Sequence, residues 1–136
     1  MTAVSTMTYP ATSAGLTAAL SALGATAEQV ADTLTAAGHT GQREDEATCP
    51  IAWYLRAVIP TAEDVYAGVL HPRRDRRIYA GLCLVDTTGW IDIEMPTGPA
   101  AFITAFDKGS FNNLAVDRDD PNARPYPVDG KPRVWP

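Results

Sequence analysis

Apolar side chains recur along this chain at two spacings, one helical and one extended. Leu16, Leu20 and Leu23 lie on one stripe that ends at Gly24, which predicts a first helix from Thr12 to Leu23. Its Ala- and Thr-rich remainder is equally compatible with disorder. The second helix has sharper limits. Thr26 is an N-cap residue, Gln29 follows three positions later as in a capping box, and Gly38 supplies a stop. Its stripe of Ala27, Val30, Ala31 and Leu34 is narrow and made of small side chains, which suits close packing against a neighbour. Residues 39–47 are polar throughout and read as an exposed loop. A third helix opens at Thr48 or Cys49 with Pro50 in its first turn and acids just ahead of it. Ile51, Leu55, Val58 and Ile59 form its buried stripe, Trp53 and Tyr54 add large apolar area, and Pro60 ends it.

From here the rhythm changes to a period of two. Asp64–Leu70 alternates Val65, Ala67 and Val69 against Tyr66, Gly68 and Leu70, although Thr61–Asp64 also resembles a helix start. Ile78–Val85 is the clearest strand. Both of its faces are apolar, which predicts a central position covered on both sides or nearly so. Asp86–Gly89 reads as a turn, and Trp90–Met95 returns with Ile91, Ile93 and Met95 inward and Asp92 and Glu94 outward. A last helix is expected from about Pro99 to Lys108, with Phe102, Ile103 and Phe106 packing it onto the sheet. Helices, then strands, then a helix point to an α+β fold. Its expected form is a small antiparallel sheet of about three strands with helices on one face.

The domain is expected to span residues 12–114. Residues 1–11 read as a flexible arm, and the proline-rich segment 115–136, with little periodicity, as an extended or disordered tail. At 136 residues one domain is the natural size, and an apolar fraction of 46% is enough for one core. No stretch approaches the roughly 18 apolar residues of a membrane span, and the N-terminus lacks the basic start of a secretory signal, so a cytoplasmic setting is expected. A net charge of −5 argues against broad contact with nucleic acid or an anionic membrane. Arginine outnumbers lysine nine to two, and alanine, glycine and proline are plentiful, a bias towards GC-rich codons that points to a high-GC bacterium or one of its phages.

Cys49-Pro50-Ile51-Ala52-Trp53-Tyr54-Leu55, preceded by Ala31–Leu34 and Gly38–Gly41, resembles the start of a central helix in a set of small uncharacterised proteins of actinobacteria and their phages. Pro99, Phe102, Ile103, Phe106, Asp107 and Gly109 match the helix with which that set tends to end. The resemblance spans roughly residues 26–114. It implies the fold and the host, and it carries no catalytic residue and no activity.

The candidate chemistry is sparse. Cys49 at a helix N-terminus is the position where unpaired amides stabilise a thiolate, and His39, across the loop, is the candidate base of a small cysteine enzyme or redox sensor. The competing reading is a small capping residue whose sulfur packs inside. Cys49, Cys83, His39 and His71 are the whole stock of Cys and His. No two are closer than ten residues, against the two to five of most structural zinc sites, so neither metal nor cofactor is expected. Arg73, Arg74, Arg76 and Arg77 make the one dense basic segment, suited to phosphate, RNA, DNA or an acidic protein surface, or else simply a solvated hairpin loop. Asp92 and Glu94 read as edge-strand acids that deter pairing. Tyr126 and Trp135 in the tail are candidate contacts for a groove on a partner. The function expected from these features is a non-enzymatic accessory or regulatory protein that binds another macromolecule, a protein before a nucleic acid, with oligomeric state open.

Overall fold

The structure, a computed structural model, describes residues 7–69, 77–84 and 90–116. Its order is α1 (Ser13–Ser21), α2 (Ala27–Ala37), α3 (Pro50–Val58), β1 (Ala62–Val69), β2 (Ile78–Leu84), β3 (Trp90–Glu94) and α4 (Thr97–Asp107), followed by a 3-10 turn at Asn112–Leu114. The three strands form one antiparallel sheet in the order β1-β2-β3, so β2 is central as its two apolar faces require. The fold is α+β. Among the described residues no helix is long and apolar enough to cross a membrane.

Side-chain caps set the helix starts. Thr12 Oγ1 accepts from Gly15 N at 3.0 Å, and Thr26 Oγ1 accepts from Gln29 N at 3.1 Å. Gln29 Oε1 reaches back to Ala25 N at 2.8 Å, one residue ahead of the usual capping-box partner, and holds the turn between α1 and α2. Gly38 closes α2 in the left-handed region at φ 78°. Asp64–Leu70, which the sequence left between strand and helix, lies largely within β1, a strand from Ala62 to Val69, with Leu70 outside the described residues. Proline also begins the last helix two residues earlier than expected: Pro96 is the N-cap of α4, and Pro99 falls inside its first turn.

The sheet's inner face presents Val65, Ala67, Ala80 and Leu82, with Ile78 and Ile93 at its rim. α3 packs on β1, and α1 crosses β2 and β3. α4 packs chiefly on α2 and α1 rather than on the sheet, which corrects the expected placement. The small stripe of α2 admits that approach. Phe102 and Phe106 stack at 5.4 Å between ring centroids, and Phe111 stacks on Phe102 at 5.3 Å. The part of residues 1–11 that is described is held against the domain: Tyr9 N donates to Val58 O at 2.7 Å, and its ring packs on the core.

Residues 39–47 differ most from expectation. They are not an exposed loop, because Gly41 and Ala47 are buried and the segment ties three elements together. Gly41 forms a parallel bridge with Ala115, donating to Leu114 O at 2.9 Å and accepting from Val116 N at 2.8 Å. Arg43 spans the C-terminal end of α4, with Nε donating to Phe106 O at 2.7 Å and Nη2 to Ser110 O and Asn112 Oδ1. The first adds a second donor to a carbonyl in the last turn of α4, and the others tie the chain that follows to it. Polar side chains here serve the loop's own backbone and its neighbours, so polarity did not signal exposure.

Glu44, at φ 57°, donates its N–H to Asp107 Oδ1 at 2.8 Å. Burial pushes the Asp107 carboxyl up from its ordinary value, and the Glu44 N–H bond pulls it part of the way back. A raised folded value means that Asp107 contributes stability fully present below its unfolded value of 3.8 and lost as pH rises through the folded one. At neutral pH an ionised carboxylate therefore sits, unfavourably, at the last turn of α4. Asp107→Asn keeps an acceptor for Glu44 N without the charge. It should raise stability at pH 7 by roughly 0.3–1 kcal/mol, with the difference shrinking towards pH 3. Urea titrations at both pH values check this; a less stable Asn variant at pH 7 contradicts it.

Candidate functional site

Cys49 is the N-cap of α3, and the chain reaches it through a hydrogen-bonded turn in which Asp45 Oδ1 accepts from Ala47 N and Thr48 N. Pro50 then fixes the first helical turn. The sulfur accepts from Ala52 N and donates to Ala67 O, each at 3.4 Å, and Cys49 is 2% exposed. Burial pushes its thiol up to about 12, and the Ala52 N–H bond only partly opposes that. The helix end that favours a thiolate is present, and removal from water outweighs it.

His39 does not complete a pair with it. Its ring lies edge-on to Tyr54, 6.0 Å between centroids at 80°, while the two hydrogen-bond partners of the Cys49 sulfur are backbone groups. Tyr54 donates its hydroxyl to Ala19 O at 2.7 Å and so joins α3 to α1.

The thiol instead belongs to a system that closes the β1 edge of the sheet. In the β1–β2 register, Val65 and Ala67 turn their backbone groups away from β2. Ala67 N donates to Glu46 O at 2.9 Å and Ala67 O accepts from Cys49 Sγ. Val65 N donates to Asp64 Oδ1 at 2.8 Å and Val65 O accepts from Arg56 Nη2 at 3.4 Å. Arg56 also donates to Ala47 O, pairs with Asp64 at 3.4 Å and lies over the Trp53 ring. Four outward-facing groups of an edge strand are thereby satisfied within the chain, which blocks pairing with another strand there.

A measurable consequence concerns thiol reactivity. In the folded protein at pH 8 Cys49 should label only as fast as the domain opens, while the half-exposed Cys83 labels sooner. In denaturant the two should react alike. Labelling of native Cys49 at the rate of a free thiol would restore the nucleophile reading.

The second candidate surface is the sheet face away from the helices. The register sets three rows across it: Asp64, Cys83 and Trp90; Tyr66, Gly81 and Asp92; and Gly68, Tyr79 and Glu94. Tyr66 is 2% exposed, its hydroxyl donates to Asp92 Oδ1, and its ring meets Trp90 edge-on at 5.4 Å. Gly81 makes this possible, because a Cβ there would stand 2.1 Å from Tyr66 Cε2 and 2.8 Å from Asp92 Oδ1. Trp90 and Tyr79 are half-buried. At the border Arg77 Nη1 pairs with Glu94 Oε1 at 3.1 Å, with the side chains 61% and 59% exposed, a geometry that contributes little stability.

Of the residues proposed for binding, Arg77 is therefore beside this face, whereas Arg73, Arg74, Arg76, Tyr126 and Trp135 lie outside the described residues, as does His71. Sequence reasoning missed the Tyr66–Trp90–Asp92 grouping, although two-residue alternation puts all three on one face once the strands are aligned. Asp92, read as an edge acid, also receives a buried hydroxyl. Among the described residues no group of three or more His, Cys, Asp and Glu side chains is placed to hold a metal ion. Comparison with protein-family models, curated proteins and solved structures gave no match, so the geometry of this chain alone carries the functional reading.

Proposed function

We propose that this domain is a non-enzymatic accessory or regulatory protein that acts by binding another protein. We place the contact on the outer sheet face, beside which Arg77 lies, and on Arg73, Arg74 and Arg76, which precede it in the sequence. The observation that carries the reading is that Trp90 and Tyr79, in the two outer rows of the face opposite the helices, are both half-buried, with Glu94 and Arg77 beside Tyr79. Tyr, Trp and Arg are the residues enriched at the centres of protein interfaces, and a charged rim around aromatic rings is their usual arrangement. The burial of the Cys49 thiol adds support, since it removes the strongest candidate for covalent chemistry from water. The resemblance to actinobacterial and phage proteins makes a host or phage protein the natural partner, with the chain itself encoded by a phage or mobile element.

The test is capture from a high-GC host lysate, with and without phage infection, using the full chain and two variants. Trp90→Ala should lower recovery of a specific protein at least about tenfold, the scale of losing more than ~1.4 kcal/mol at an interface centre. Glu94→Lys, at an exposed position, should weaken capture while leaving the melting temperature unchanged. Equal recovery by all three proteins counts against the proposal. Retention of RNA or DNA that falls steeply with salt and is lost when Arg73, Arg74, Arg76 and Arg77 become alanine would establish the nucleic-acid alternative instead.

A further inference from the structure

We draw no further inference here: the strongest candidate, the aromatic and acidic patch of Tyr66, Tyr79, Trp90 and Asp92 on the sheet face opposite the helices, belongs to the site already described, and nothing in the structure shows what covers it.

Discussion

Gly41→Ala is expected to destabilise the domain by about 3 kcal/mol or more, a large part of the roughly 5–15 kcal/mol of an ordinary domain. A Cβ at position 41 would overlap Thr48 O and stand 2.6 Å from both Cys49 C and Pro50 N. All three obstacles are backbone atoms, so no rotamer change relieves the clash, and the chain must move at the point where Pro50 starts α3. Moving it also disturbs Gln42 N–Thr48 O at 3.0 Å and both hydrogen bonds of the Gly41–Ala115 bridge. Gly38→Ala is the control. Its left-handed φ of 78° penalises a side chain, but nothing lies within 4 Å of the new Cβ, so the cost should be only about 1–2 kcal/mol. Denaturant midpoints for the two variants separate close packing from backbone conformation. A Gly41→Ala protein no less stable than Gly38→Ala would mean that the segment before α3 packs more loosely than described.

That segment also marks the boundary of what the sequence could reveal. α2, α3, α4, β2, β3 and the central place of β2 follow from local signals, whereas the same signals leave α1 open to disorder and β1 between strand and helix. A threonine cap, a glycine stop, a proline in the first turn and alternating apolar positions each act within a few residues. The role of residues 39–47 follows from contacts between positions far apart. Arg43 with Phe106, Glu44 with Asp107, Gly41 with Ala115 and Glu46 with Ala67 join elements brought together only by the completed fold. A polar run satisfied by distant backbone groups has the composition of one satisfied by water. Cys49 was legible as a cap and ambiguous as a nucleophile, because the helix end favours the same thiolate that burial forbids. Sequence spacing exposes the helix end; only the placement of β1 against α3 determines the burial. The outer sheet face was recoverable in principle, since the alternation was read correctly, but grouping Tyr66 with Asp92 requires the registers Tyr66 to Gly81 and Gly81 to Asp92.

Phe106→Ala should cost about 3–5 kcal/mol, the range for removing a fully buried aromatic side chain. The ring is stacked on Phe102, and the Arg43 guanidinium lies 5.0 Å from its centroid, so the vacated space borders a cation. That makes the site difficult to collapse. Water admitted to the cavity would compete for the Arg43 donors that now bind Phe106 O, Ser110 O and Asn112 Oδ1. Arg43→Ala alone should cost about 1–2 kcal/mol, because it removes one of two donors to Phe106 O, the donor to Ser110 O and the cation over the ring. If Arg43 is an anchor whose orientation depends on the ring beneath it, the two effects cannot add. The double variant should then be less destabilised than the sum by at least about 0.5 kcal/mol, the coupling expected of side chains in direct contact. Phe106→Leu, combined with Arg43→Ala, repeats the cycle with most of the volume retained and tests the ring rather than the cavity. Strict additivity in both cycles would show that the guanidinium is held by its backbone acceptors alone, with the ring serving only as filler for the core.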